Sequence, residues 1–363
     1  MADFSRVLAG PLCTMTLADL GAEVVKVERP GTGDDTRSWG PSYFTGLNRG
    51  KRSVLLDLKD PADLILAREL ARRADVLVES FRPGLMDGLG LGYEAVAADN
   101  PWVVWCSISA FGSEGEAAGL PGYDLLLQAM GGLMSVTGEP GGRPLKVGAA
   151  LIDMVCGLHA AVGILAALRA RETTGHGQRL EVTLMDSALA ALLNQASTHL
   201  VEGRVPGRMG NRHPSIAPYE TFRAGGGTEL ALAVGNDGQF ARLCDVLGLA
   251  ALATDPRFAT NPARVEHRDA LGAALEAALA ARPAAEWVAL LGAAGVPAGP
   301  INDVAQAFAF AEALGLDPVD ETGGVRTVRS PLRTPVRRPP PGLGEHDAEV
   351  RAWLAEPEGS EGP

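Results

Sequence analysis

SVLLDLKDPADLILARELARRADVLVE, residues 53–79, holds the architecture of the chain in miniature. Ser53 to Leu58 is an apolar run of strand length with little polar alternation. Pro61 stands at the first-turn position that a helix tolerates, and the helix it opens runs to about Arg73. Asp75-Val-Leu-Val-Glu79 is a second short apolar run. Near-continuous apolar strands separated by a helix are the pattern of a parallel sheet covered on both faces.

The alternation continues in both directions. Glu23 to Glu28, Pro101 to Ser109 and Arg179 to Thr183 read as further strands, and Val7 to Leu20 as a Gly-Pro turn leading into a short helix. Val147 to Arg171 reads as a long helix and Leu184 to Val201 as another. Within the long one, Ala149 to Leu168 approaches the length of a membrane span, but Asp153, Gly157, His159 and Gly163 interrupt it. A buried helix is the expectation there, with no membrane partner.

Glu202 to Pro218 is rich in Gly, Pro and Arg without periodicity, as a domain crossing is. The expected division is a large domain begun by residues 1–204, a smaller α+β domain over 205–300, and a return segment over 301–363 that completes the large one. The small domain opens on a hairpin, Tyr219 to Gly235, turning at Ala224 to Gly227, and continues in helices to about Ala294. In the return segment Val325 to Arg338 reads as an extended edge, Glu345 to Leu354 as a closing helix, and Glu356 to Pro363 as a frayed end.

Bulk properties narrow the function. A chain of 363 residues with net charge -12 points away from a nucleic-acid partner, while leaving room for a phosphate-bearing small molecule that responds to local field. Cys13, Cys106, Cys156 and Cys244 are far apart and make no metal-ligand spacing, so they read as free thiols of a reducing, cytoplasmic compartment. The first residues lack a basic stretch followed by a long apolar run, so no secretory signal is read there. No Gly-x-Gly-x-x-Gly opens a helix after a strand, Gly88 to Gly92 falls in a turn, and there is no phosphate-cradling Walker loop. A nicotinamide dehydrogenase is therefore excluded in spite of the sheet.

Asp124 heads an apolar, helix-length run that ends in Gly131-Gly132. An ionised carboxylate beside apolar surface needs a partner, because its desolvation is costly. It could cap the helix that follows, or it could be a reactive group. Ser80-Phe81-Arg82-Pro83-Gly84 follows a strand, at the end where an α/β sheet presents its ligand, and Phe81 could shape a nucleotide groove.

Leu8-Ala-Gly-Pro11, Leu17-Ala-Asp-Leu-Gly-Ala22, Val25-Lys-Val-Glu-Arg-Pro30, Gly33-Asp-Asp-Thr-Arg37, Asn48-Arg-Gly-Lys-Arg-Ser53, Val78-Glu-Ser-Phe-Arg-Pro-Gly84, Tyr123-Asp124 and Gly344-Glu-His346 occur in order along nearly the whole chain. In these landmarks the sequence resembles the class III CoA-transferases, the family that also holds the 2-methylacyl-CoA racemases. The resemblance implies a Rossmann-like α/β large domain, an interlocked, ring-like homodimer, and CoA transfer from an acyl-CoA, with succinyl-CoA the commonest donor type, to another carboxylic acid. It implies no tightly bound cofactor and no metal, a CoA thioester being a substrate. It also implies an aspartate nucleophile, matched to Asp124, which would pass through a mixed anhydride and an aspartyl-CoA thioester.

Asp153 matches a proton-transferring aspartate of the racemases. The histidine that those enzymes place before the first acid is Tyr123 here, a poor base near neutrality. Transfer therefore stands ahead of racemisation, with a non-catalytic acyl-CoA-binding protein as the third reading. Gly131 and Gly132, or the loop of Asn236, Asp237 and Gly238 that matches a mobile glycine loop of formyl-CoA transferase, are candidates for oxyanion stabilisation. Arg37 matches a CoA-contacting arginine of the family. Lys51, Arg52 and Lys59 complete the local basic set, and Ser80 and Phe81 the nucleotide groove.

Overall fold

The computed structural model describes residues 1–357, so most of the stretch expected to fray lies outside the described residues. It divides into two compact units. One comprises Met1–Leu133, Lys146–Val205 and Asp317–Pro363; the other comprises Met134–Leu145 and Pro206–Leu316.

The first unit is built on strands β1 (Ala2–Phe4), β2 (Val24–Glu28), β3 (Lys51–Leu55), β4 (Val76–Glu79), β5 (Val104–Ser109) and β6 (Gln178–Thr183). They form one six-stranded sheet in the order β3-β2-β1-β4-β5-β6, with every neighbouring pair parallel. Alternate side chains serve opposite faces. Phe4 and Leu77 join Leu70 of helix Pro61–Arg73 and Val350 and Leu354 of helix Asp347–Ala355 in one apolar cluster. Val76, Val78 and Ile108 join Cys13 of helix Ala9–Asp19 and Ile152, Cys156 and Ile164 of helix Leu151–Thr174 in the other. Gly157 lets those last two helices touch, since a Cβ there would stand 2.5 Å from the Ala9 carbonyl oxygen.

Four ionised side chains without solvent contact lie in and beside this sheet. Asp3 pairs with Lys51 at 3.1 Å and Lys26 pairs with Asp34 at 2.9 Å. Asp3 also accepts from Thr14 Oγ1 and from the Ser5 amide, while Lys26 Nζ donates to the Ser5 carbonyl oxygen. The neighbouring lysines hold the Asp3 carboxyl far below its ordinary range against the opposing effect of burial. Burial pushes Lys51 down to about 8.

Three expected elements differ. The long helix starts at Leu151, not Val147, because the four residues before it are drawn out of helical geometry: Gln128 Oε1 accepts from the Val147 amide and Gln128 Nε2 donates to the Ala149 carbonyl. The helix expected over Leu184 to Val201 is two, Leu184–Ala191 and Asn194–Glu202, broken where Leu193 takes a φ of 43°.

In the second unit β7 (Tyr219–Arg223) and β8 (Glu229–Ala233) form the expected hairpin, extended by β9 (Ala298–Pro300) into a three-stranded antiparallel sheet. Phe222, Leu230, Phe240, Leu275 and Trp287 fill its core. The last difference returns to the first unit. Of the extended edge expected over Val325 to Arg338 only β11 (Val325–Val328) is strand, paired antiparallel with β10 (Val319–Thr322). The closing helix runs Asp347–Ala355, as expected.

Asp3→Asn should leave the buried Lys51 charge without its carboxylate partner and remove a second negative charge from beside Lys26, which keeps Asp34. A loss of about 3–5 kcal/mol in unfolding free energy is expected from denaturant titration, against about 1 kcal/mol or less for an exposed acid such as Asp60→Asn.

Candidate active site

The strand order reverses between β1 and β4, and an open parallel sheet binds its ligand beyond the carboxyl ends of the strands at that point. A cavity of about 270 Å³ lies there. Arg6 and Val7 enter it from the end of β1, Ser80, Phe81 and Arg82 from the end of β4, Ser109 and Ala110 from the end of β5, and Tyr123 and Asp153 from the two following helices. Val7 has a φ of 70°, a conformation that a β-branched residue adopts only under constraint. The Arg6 amide donates to Ser80 Oγ at 2.9 Å, tying the two strand exits together. Beneath them the buried Glu79 carboxylate accepts from the Phe81 amide, and burial raises its pKa to about 7. A second cavity of about 180 Å³ borders the first, with Arg6 and Phe81 lining both. Its rim carries Arg29 and Lys59, both exposed and without an ion pair among the described residues.

The two acids of the sequence reading are neighbours with different duties. Asp124 does not cap its own helix, Asp124–Met130. Its Oδ1 accepts from the amides of Ile152 and Asp153, at 2.8 and 3.2 Å, and its Oδ2 from Gln128 Nε2 at 2.6 Å. It thus caps the long helix, whose own N-cap residue, Ala150, offers no side-chain acceptor. Gln128, fully buried one turn along from Asp124, binds the segment before that helix as well. Asp153 lies in the helix's first turn and lines the cavity; Asp124 does not line it. Burial, and next the charge of Asp124, push the Asp153 carboxyl up to about 7.

The other residues singled out by sequence separate. Ser80, Phe81 and Lys59 border the two cavities. Arg37 lines neither: it is bidentate to Glu28, at 2.7 Å for both contacts, and lies 3.5 Å over the Phe44 ring. Lys51 is the buried partner of Asp3, and Arg52, paired with Glu23 and Glu349, faces a cavity at the opposite end of the strands beside Met1, Asp75 and Pro101. Gly131 serves packing, since a Cβ there would stand 2.5 Å from that of Ala188, and Gly132 has a φ of 87°. In the second unit Asn236 caps helix Asp237–Leu247 through the Gln239 amide, Asp237 pairs with the buried Arg264 at 2.8 Å, and Gly238 lies in that helix's first turn. Sequence reasoning passed over Arg6, Arg29 and Gln128. Arg29 stands inside a quoted motif immediately after a strand, a signal that was there to be used; Arg6 lies just ahead of the first quoted motif, and Gln128 carried no signal, because its contacts are with a distant stretch.

A family model described as CoA-transferase family III matches residues 1–347. The chain belongs to CoA-transferase family III. This transferase is 43% identical over 369 residues to an acetyl-CoA:oxalate CoA-transferase of Acetobacter aceti, covering 98% of this chain and 95% of that one. It is 43% identical to a succinate–glutarate CoA-transferase of Agrobacterium fabrum, over 97% of this chain and 94% of the relative. Among solved structures it is similar to a CAIB/BAIF family protein from Brucella suis, with a TM-score of 0.88, 43% identity and 97% of each chain covered. The family III transferase moves CoA between carboxylic acids, with CoA thioesters as substrates.

The raised Asp153 pKa has a stability signature. A carboxyl whose folded pKa is about 7, above the ordinary 3.8, favours the folded state less as pH climbs through that window. Asp153→Asn of this transferase should therefore leave stability near wild type at pH 4 and exceed it at pH 8, by roughly 1–3 kcal/mol after allowance for partial exposure. Thermal unfolding at the two pH values checks the sign.

Proposed function

We propose that the protein transfers CoA between short dicarboxylic acids through a covalent thioester on Asp153. The observation that carries this reading is the contrast between the two acids: among the described residues Asp124's carboxylate accepts from the helix it caps and from Gln128, whereas Asp153 borders the crevice. The role that the resemblance gave to Asp124 passes to its neighbour, and Asp124 becomes the residue that fixes the helix start on which Asp153 stands.

The chemistry needs one carboxylate. Asp153 attacks the thioester carbonyl carbon of the donor, forming a mixed anhydride and expelling CoA thiolate. The thiolate attacks the aspartyl carbonyl of that anhydride, giving Asp153–CoA thioester and the free donor acid. The acceptor carboxylate attacks this thioester, releasing thiolate again, and the thiolate takes the acceptor's acyl group and frees Asp153. Thioester energy is kept throughout and no water is consumed. The CoA nucleotide suits the neighbouring cavity, where Arg29 and Lys59 offer unpaired cations to phosphate and Phe81 an apolar wall. Dicarboxylic substrates are supported by oxalate, succinate and glutarate in the relatives' names, beside one monoacid thioester, acetyl-CoA, and succinyl-CoA is the donor to try first. Four buried, unpaired thiols are consistent with a cytoplasmic setting.

We also infer self-association, which the family resemblance extends to an interlocked pair. Helix Leu151–Thr174 is long and apolar enough to cross a membrane, yet one face packs on the sheet's helix layer. The opposite face exposes Met154, Leu158, Val162 and Leu165 in a single stripe, and helix Asp124–Met130 exposes Leu125, Leu126 and Met130. A second copy is the economical cover for such a surface beside an active site. Light scattering should return twice the chain mass, and Leu158→Asp should abolish soluble dimer; a monodisperse wild-type monomer would sink the inference.

Intact-mass analysis after mixing with succinyl-CoA, followed by hydroxylamine, tests the chemistry. A CoA-sized adduct on the peptide holding Asp153, lost with hydroxylamine, is expected in wild type. Asp153→Asn should abolish both adduct and exchange, while Asp124→Asn should retain the adduct at a rate reduced by roughly 10–1000-fold. An adduct on the Asp124 peptide would return the nucleophile to that residue.

A further inference from the structure

We propose that Arg6 binds the far carboxylate of the dicarboxylic acid and so sets the preference for diacids over monoacids. The inference rests on Asp153 being the nucleophile in the crevice. Four charged residues line that cavity: Arg6, Arg82, Asp35 and Asp153. Once Asp153 is esterified to an acyl group or to CoA it no longer carries charge. A diacid held there would then bring a second carboxylate into a half-enclosed space, where an unpaired charge is costly.

Arg6 is built to meet it. Its amide is fixed to Ser80 Oγ, its Nη1 lies 3.2 Å from Asp35 Oδ2, and its guanidinium carbon lies 5.2 Å from the centroid of the Phe81 ring. The backbone tie to Ser80 and two side-chain contacts, one to Phe81 beyond β4 and one to Asp35 in the short helical turn Asp35–Ser38, orient the group before any ligand arrives, so less rotamer freedom remains to be lost on binding. Its Nε is buried and finds no acceptor among the described residues. A buried donor without a partner is uncommon and destabilising, and a small turn of the guanidinium toward the cavity that Arg6 lines would bring it to an acid oxygen. Arg82, by contrast, is exposed and has no ion pair among the described residues, so nothing fixes its head group. A monoacid with an alkyl tail would leave Nε unsatisfied and would set apolar surface against a guanidinium, the kind of mismatch a polar site rejects strongly.

The test uses the full-length enzyme carrying its CoA thioester, formed with an acyl-CoA donor and desalted, and varies the acceptor among succinate, glutarate and butyrate. Arg6→Gln should raise KM for both diacids by about tenfold or more, leave the butyrate kinetics no poorer than wild type, and leave the calorimetric Kd of free CoA within about twofold of wild type. Arg6→Lys, which keeps the Asp35 pair but loses the fork, should give an intermediate rise and serves alone where Arg6→Gln does not fold. A diacid KM within about twofold of wild type, or an equal loss with butyrate, would overturn the assignment. A rise in the Kd of CoA matching the loss with diacids would overturn it too, by moving Arg6 to the CoA phosphates. Failure of the underlying reading is a separate signal, since wild type itself would then carry no thioester on the Asp153 peptide.

Discussion

Two buried ion pairs, Asp3 with Lys51 and Lys26 with Asp34, fix how β1, β2 and β3 line up. In a sheet covered on both faces the apolar pattern is a weak guide to register, because a one-residue slip exchanges one apolar side chain for another. A buried charge gives no such latitude. Asp3 stands opposite Lys26 across β1 and β2, and Lys26 opposite Ser53 across β2 and β3. A slip would leave ionised groups unpaired in a dry interior at a cost of several kcal/mol. The same network reaches the active site directly, since Lys26 and Asp3 both bind Ser5, the residue before Arg6 and the positive-φ Val7. The strained turn at the floor of the crevice is held by charges that never touch a ligand.

The long helix presents a second constraint of the same kind. Its first turn has amides to satisfy and no side-chain cap of its own. Asp124 arrives from another helix to satisfy them, and Gln128 straightens the four residues before it. The consequence is a helix start defined by tertiary contact, which is what the proposed attack of Asp153 on a thioester carbon at short range requires. It also places a negative charge close enough to Asp153 to oppose its ionisation, adding to burial. Rigid placement and part of the raised pKa thus come from one residue.

This explains which parts of the molecule were legible in the sequence. Strand and helix positions in the sheet domain follow from apolar runs and Pro61, so local pattern sufficed for them. Ser80 and Phe81 were placed by the rule that ligands gather at strand ends, and they do border the cavities. Roles that depend on a distant partner were not legible. Lys51 and Arg52 read as a basic patch because they are adjacent cations, yet one is buried against Asp3 and the other serves Glu23 and Glu349. Arg37 follows two acids in a loop, but Glu28 and Phe44 take its guanidinium. The boundary at Leu151 failed for the same reason, since helical propensity continues upstream and only Gln128 prevents the helix from following it.

Asp124 and Asp153 show where the difficulty lies. In the sequence Asp124 opens a helix and Asp153 falls inside one, each is flanked by apolar residues, and each matches an acid that does chemistry in the family. What separates them is the direction of their unused valence. Asp124's oxygens are directed at amide donors, which lower the energy of a carboxylate and make it a poorer attacking group. Asp153 has the opposite surroundings, an apolar wall and a like charge, which raise the energy of its ionised form and so lower the step to an acyl transition state. A protein stabilised at every residue would have given both acids caps. The one left less stable than its sequence allows is the one proposed to carry the acyl group.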